Sequence, residues 1–267
     1  MIDPDEAVAR ADRLRGLHHA AEPLILPNAW DVGSALAIER AGATAVATTS
    51  SGVAASLGYP DGEAMSAEEM FDVVERIARA VEVPVTVDIE AGYGLEPDAF
   101  VDALLASGAA GCNLEDTDRA HDPGALVDLE RQAEWLSRVR AAADAAGVPI
   151  VINARIDTFL RGSGSLEERV EDGLRRAHAY VAAGADCVYP IWLTETDAIA
   201  RFVQEVEAPV NVLLRPGAPT LAELRALGVR RISVGGGLAH RAMDATERLA
   251  RALVGGDDTP FRDMAEG

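Results

Sequence analysis

The chain has 267 residues, 44 acidic and 24 basic, for a net charge of −20. Every basic residue is arginine, so Schiff-base, pyridoxal-type and phosphate-loop lysine chemistry is excluded. The acidic balance argues against nucleic acid and acidic lipid as partners, no apolar run reaches the ~18 residues of a membrane span, and the charged opening MIDPDEAVARADRLRG does not read as a signal peptide.

In chain order, an amphipathic helix is expected over 4–20, capping the base of the fold. Eight short apolar strands follow, near 24–28, 44–48, 84–88, 110–114, 149–154, 186–190, 209–213 and 230–234. Helices alternate with them near 32–41, 66–81, 97–107, 128–146, 166–183, 195–206, 219–227 and 238–254. A unit recurs: an Ala-rich helix, a glycine, then a strand, as in AIERAGATAVATTS, LLASGAAGCNLED, YVAAGADCVYP and LRALGVRRISVGG. Gly42, Gly108, Gly184 and Gly228 fit the left-handed position that ends a helix. Continuous apolar strands are those of a parallel sheet buried on both faces. Pro84, Pro149 and Pro209 stand at strand starts, where proline is tolerated. Cys112 and Cys187 fall inside strands and read as packed thiols of a reducing, cytoplasmic compartment.

Eight β/α alternations predict one closed (β/α)8 barrel over 1–267, with a capping helix within 1–20 and a last helix at 238–254. The rival, an open doubly wound sheet, lacks a G-x-G-x-x-G turn after its first strand. In such barrels the chemistry sits at the carboxyl ends of the strands, and polar residues collect there: Asn28, 48–52, Asp88 and Glu90, Asn113 and Glu115, Asn153, Arg155 and Asp157, Tyr189, Asn211, and 235–237. Asp88 and Glu90 share a strand face, and Glu115 ends the neighbouring strand. Three carboxylates at one mouth repel unless a cation lies among them. Oxygen ligands without His or Cys suit Mg²⁺ or Mn²⁺. The bland reading is that these acids cap helices or pair with Arg155. Arg155 could hold an anion in bidentate fashion, or it could form an ion pair with Asp157. No Ser-His-Asp or Cys-His arrangement is present.

At these residues the sequence resembles the isocitrate lyase/phosphoenolpyruvate mutase superfamily, in its oxaloacetate decarboxylase/phosphonomutase-like branch. TTSSGVAASLGYPDGE, VTVDIEAGYG, NLED and INARID carry the resemblance. It implies metal carboxylates at Asp61, Asp88, Glu90 and Glu115, with Asp88 as the direct Mg²⁺ ligand and the others acting largely through water. It implies an oxo-carboxylate loop at Thr49, Ser50, Ser51 and Gly52, a substrate arginine at Arg155 and a pocket residue at Asn211. It also implies a last helix swapped between partners in a homodimer or homotetramer. The family's Lys-Cys-Gly-His loop is replaced by DTDRAHDPGALVD, where only Arg119 and His121 could substitute as acid or base. Ile191 stands where relatives carry Glu or His, so isocitrate-type cleavage is not expected. The expected activity is Mg²⁺-dependent cleavage or rearrangement of a C–C or P–C bond of a small 2-oxo acid through an enolate, with Arg155, Glu115 and His121 as catalytic candidates. Oxaloacetate decarboxylation is its least demanding form. The alternatives are a phosphonopyruvate or carboxyphosphonate mutase or hydrolase, and a non-catalytic oxo-acid binding protein.

Overall fold

The alternation of apolar strands and amphipathic helices closes into a ring. The computed structural model describes residues 3–262. The strands are Leu24–Leu26 continued by Asn28–Ala29, then Val46–Thr48, Val85–Asp88, Gly111–Glu115, Val151–Ile156, Cys187–Pro190, Asn211–Leu213 and Arg231–Ser233. Pro27, with no N–H to offer a ladder, divides the first strand. Its first part pairs with the eighth strand, Ile25 beside Ile232, and its second with the second strand, Ala29 beside Thr48. A single bridge between Val188 and Val210 joins the sixth strand to the seventh and completes the circle. All barrel pairings are parallel.

Each strand leads to a helix: Val32–Arg40, Ala67–Ala80, Pro97–Ala106, Leu129–Ala145, Leu166–Ala182, Thr196–Glu205, Leu221–Leu227 and Gly237–Val254. Asp31, Ser66, Ser165 and Thr220 open four of them with reciprocal capping boxes, which satisfy the free N–H groups of the first turn. The recurrent glycines take the left-handed backbone expected of them, with φ of 92°, 78°, 100° and 89° at Gly42, Gly108, Gly184 and Gly228.

The first helix, Pro4–His18, packs against the base of the barrel. Leu14 inserts among Leu24, Leu26, Ala45, Ala47, Ala110 and Val151, a burial worth on the order of 2 kcal/mol. Gly111 leaves room for it: a Cβ there would lie 2.5 Å from the Val151 carbonyl oxygen and 3.1 Å from Leu14. Arg15 fixes the helix by donating to the Pro149 and Ile150 carbonyls and pairing with Asp186 at 2.8 Å.

Above this plug the barrel interior is polar. Arg231 donates to Asn113 Oδ1 at 2.9 Å and to His18 Nε2 at 3.2 Å, and Asn153 donates to Asn113 Oδ1 at 2.8 Å. Cys112 and Cys187 are buried free thiols. Among the described residues no helix is long and apolar enough to cross a membrane.

Three elements between the barrel units were not expected. Ser50–Leu57 is a helix, Thr158–Arg161 a single helical turn, and Thr117–Asp118 pairs with Asp122–Leu126 as a hairpin. The first escaped notice because SSGVAASL carries no charged residue to mark an amphipathic period. Its consequence is functional: a helix begins immediately at the end of the second strand.

Candidate active site

A cavity of about 920 Å³ opens at the carboxyl ends of the strands. One wall is polar and includes Asn28, Asp61, Asp88, Asn113, Arg155 and residues 49–51. Thr49 precedes the Ser50–Leu57 helix and makes no side-chain cap. The Ser50 N–H turns to Asp88 Oδ2 at 3.4 Å, which leaves the next N–H groups of that turn available to an anion. The Gly237–Val254 helix, whose first turn also borders the cavity, likewise has no side-chain cap.

Asp88 ends the third strand. Its backbone N–H donates to Thr48 Oγ1 at 2.9 Å, and its Oδ2 accepts from the Ser50 hydroxyl at 3.1 Å. Its other oxygen, Oδ1, is buried without a hydrogen-bond partner. Burial pushes the Asp88 carboxyl above its ordinary range; Arg155 opposes the rise and Asp61 adds to it. An orphaned carboxylate oxygen beside a second carboxylate suits a hard cation that keeps several waters. The residues present thus fit a magnesium-type ion held by Asp88 and Asp61.

The expected four-carboxylate cluster takes a different form. Among the described residues, no group of three or more His, Cys, Asp or Glu side chains is arranged to hold a metal. Arg119, from the hairpin, lies between Glu115 and Glu90, with Nη2 2.6 Å from one and 3.2 Å from the other. Arg155 Nη1 is also 2.7 Å from Glu115. Guanidinium groups thus pair with Glu90 and Glu115, and, unlike Asp88, neither glutamate lines the cavity. Burial pushes Glu90 up to about 7, with the Glu63 N–H pulling it down and Asp61 and Asp88 adding to the rise. Burial likewise raises Glu115, against the pull of Arg155.

Arg155 reaches the cavity wall, but its Nε–Nη2 edge is committed to Asp157 at 2.6 and 3.0 Å. The expected bidentate grip on a substrate is therefore not available through that edge; a ligand meets only the outer Nη hydrogens. Asp157 is itself fixed, accepting from Thr117 and donating its backbone N–H to Asp116 at 2.7 Å. Asp116 in turn accepts from Tyr180 at 2.7 Å and Arg176 at 3.1 Å.

Three other candidates lie outside the cavity wall. The His121 side chain is 70% exposed, pairs with Asp118 at 3.0 Å and does not line the cavity. Asn211 is buried one layer lower in the barrel, its Oδ1 accepting from Ser233 at 3.4 Å. Gly52 packs: a Cβ there would meet Thr49 at 2.7 Å and Trp30 at 2.9 Å. Sequence reasoning missed Glu63, Tyr93, Trp192 and Arg215. Glu63, Tyr93 and Trp192 hold positive φ, a property no residue pattern announces.

A parallel barrel with carboxylates, hydroxyls and a fixed arginine at its carboxyl-end mouth is the architecture of a (β/α)8 enzyme. The chain belongs to the phosphoenolpyruvate phosphomutase family, whose profile matches residues 14–254, and so to the isocitrate lyase/phosphoenolpyruvate mutase superfamily. It is 36% identical over 245 residues to an uncharacterised protein of Mycobacterium tuberculosis, covering 91% of this chain and 90% of that one. It is 35% identical over 200 residues to the 2-methylisocitrate lyase of Salmonella typhimurium, covering 70% of this chain and 64% of the lyase. The structure of a candidate phosphonomutase from Burkholderia cenocepacia superposes with a TM-score of 0.85 at 42% identity, covering 91% of this chain and 99% of that one.

Proposed function

We propose that the protein is a Mg²⁺- or Mn²⁺-dependent enzyme that breaks or rearranges a bond at C3 of a small 2-oxo acid through an enolate, with oxaloacetate decarboxylation the simplest case. The observation that carries this reading is Asp88 Oδ1, a buried oxygen without a partner on the cavity wall that also holds Asp61 and Arg155. When bound, a divalent ion would supply a Lewis acid for the developing enolate charge. The Ser51 N–H and the Thr49 and Ser51 hydroxyls, which line the cavity, suit the oxo acid's carboxylate. Arg155, held by Asp157 and Glu115, adds fixed positive charge to the same wall without reorganising during the reaction. Residues 116–128 contain neither Lys nor Cys, and His121 does not line the cavity. Decarboxylation starts without a general base, which favours it over an aldol-type cleavage.

Purified protein with Mg²⁺ is expected to convert oxaloacetate to pyruvate above the metal-only rate, and Asp88→Ala to lower that excess by ~10²-fold or more. A rate equal to metal alone, or one unchanged by Asp88→Ala, overturns the reading. The likeness to the Burkholderia phosphonomutase candidate supports a second reading, phosphonopyruvate or carboxyphosphonate mutase or hydrolase chemistry, which phosphorus NMR would report as phosphate release or a P–C to P–O shift.

We also propose that the single barrel domain pairs with a second copy through its last helix. Along Gly237–Val254 only Ala239 is buried, while Leu238, Met243, Leu249 and Leu253 are exposed. Ile25, on the outer face of the first strand, is 42% exposed where a packed last helix would cover it. Two buried free thiols suit a reducing cytoplasm.

A further inference from the structure

Apart from the polar residues named above, the cavity lining is largely apolar and includes a cation, Arg215, with His240, Arg241 and Asp244 of the last helix also bordering it. The reaction above uses neither the apolar surface nor that cation. Leu160, Ile191, Trp192, Leu213 and Leu214 form the apolar surface. The Arg215 guanidinium carbon lies 3.7 Å from the Trp192 ring centroid. Trp192 holds a left-handed backbone at φ 70°, a conformation a bulky side chain rarely adopts. The residue is nevertheless 45% exposed, so the strain does not serve core packing. A strained aromatic presented to a cavity marks a ligand contact. Its face also orients Arg215, whose charge is not neutralised by any ion pair among the described residues. A cavity of 920 Å³ lies toward the upper end of the about 300–1,000 Å³ typical of sites for drug-sized ligands, far more than a four-carbon acid fills.

The geometry points to an extended substrate: a 2-oxo acid whose C3 substituent runs as an apolar chain along Trp192 and ends in a carboxylate at Arg215. This inference rests on the reading that the polar wall holds the oxo-acid end. The chain displaces water from the leucine and isoleucine side chains, and the terminal carboxylate gains a charge-assisted hydrogen bond from a guanidinium already oriented by the indole.

The test is calorimetric binding in the presence of Mg²⁺ with four probes. 2-Oxoadipate and 2-oxohexanoate have equal carbon length but end in a carboxylate and a methyl group, pyruvate lacks the chain, and oxalate reports the polar wall alone. 2-Oxoadipate is expected to bind about tenfold tighter than 2-oxohexanoate. Arg215→Gln should shrink that gap to about twofold, Arg215→Lys should restore most of it, and added salt should narrow it. Trp192→Gly, which also relieves the backbone strain, should weaken both chain-bearing acids about tenfold relative to pyruvate. Equal binding of the two six-carbon acids, or a gap indifferent to Arg215→Gln, overturns the inference. If oxalate binds with Mg²⁺ while the gap is absent, the distal site falls and the reading of Asp88 stands. If the Arg215-dependent gap is present and oxalate does not bind, the distal site stands and the reading of Asp88 falls; no binding of any probe overturns both.

Discussion

The backbone N–H of Glu63 donates to Glu90 Oε1 at 3.0 Å, while Glu63 Oε1 accepts the N–H groups of Ala91 and Tyr93 at 3.0 and 2.8 Å. Each glutamate thus ties down the other's loop, and both hold left-handed backbones, φ 59° at Glu63 and 46° at Glu90. Such strain costs about 1–3 kcal/mol per residue and persists where surrounding bonds over-determine it. The latch fixes the turn carrying Asp61 against the loop that follows Asp88. Both loop N–H groups end on one oxygen, so the two obvious substitutions should differ. Glu63→Gln keeps that acceptor and should change stability by less than about 1 kcal/mol, whereas Glu63→Ala strands two N–H groups and should cost about 2 kcal/mol or more. Urea unfolding of the two variants decides; equal losses would mean the latch does not hold the loops.

Arg119 makes a different prediction. Its Nε and Nη2 lie 2.7 and 2.6 Å from Glu115, and Nη2 reaches Glu90 at 3.2 Å. Arg119→Gln leaves two buried carboxylates without that cation, which should cost about 3–5 kcal/mol in metal-free protein. A divalent ion near Asp88 then supplies the missing positive charge, so the rise in Tm on adding Mg²⁺ should be larger in the variant than in the wild type. Thermal unfolding with and without Mg²⁺ measures it; the same rise in both proteins would show that Arg119 and the ion do not share these carboxylates.

The barrel was legible because each unit repeats a local code. Gly108 ends a helix with a backbone only glycine takes cheaply, and the apolar strand that follows it has one stable place, between two buried faces. Asp88 was legible for the related reason that a strand end fixes where its side chain points. What stayed hidden depends on partners distant in sequence. Glu115 and Arg119 are four residues apart, but only the turn into the hairpin swings the guanidinium back over Glu90. Arg155 offered two readings, ligand grip or ion pair with Asp157; both depend on which edge faces the cavity, which no spacing specifies. Asn211 does not itself line the cavity, which Leu213 reaches two residues on, and its buried Nδ2 has no hydrogen-bond partner, an arrangement that spacing does not announce.

His121 offers a negative control. Its side chain is 70% exposed, its ring is paired to Asp118, and it does not line the cavity. His121→Ala should leave kcat/KM within about twofold of wild type, well short of the 10²-fold expected of a lost general acid or base. A larger loss in steady-state assays would place the hairpin over the site during turnover.

His18 predicts an acid-labile base. Its Nδ1–H donates to the Leu14 carbonyl at 2.8 Å, so Nε2 must accept from Arg231 at 3.2 Å, and the ring has to be neutral. Burial, and then the Arg231 charge, push the imidazole down to about 3 from its ordinary 6.5. Below pH 6.5 the unfolded chain binds a proton that the native chain refuses. The stability His18 contributes is therefore fully present above pH 6.5 and is lost as pH falls toward 3, by about 1.4 kcal/mol per pH unit. His18→Gln, which still offers Arg231 an acceptor, should remove that slope. The carboxylates raised by burial slope the opposite way, so the comparison between wild type and variant, not the absolute curve, carries the result. Urea unfolding at pH 7, 6 and 5 should show the two proteins converging as the pH falls; parallel curves would mean the buried imidazole is already charged. Arg231→Met removes the second cause of the shift, and the His18 ring signal by NMR should then titrate closer to 6.5.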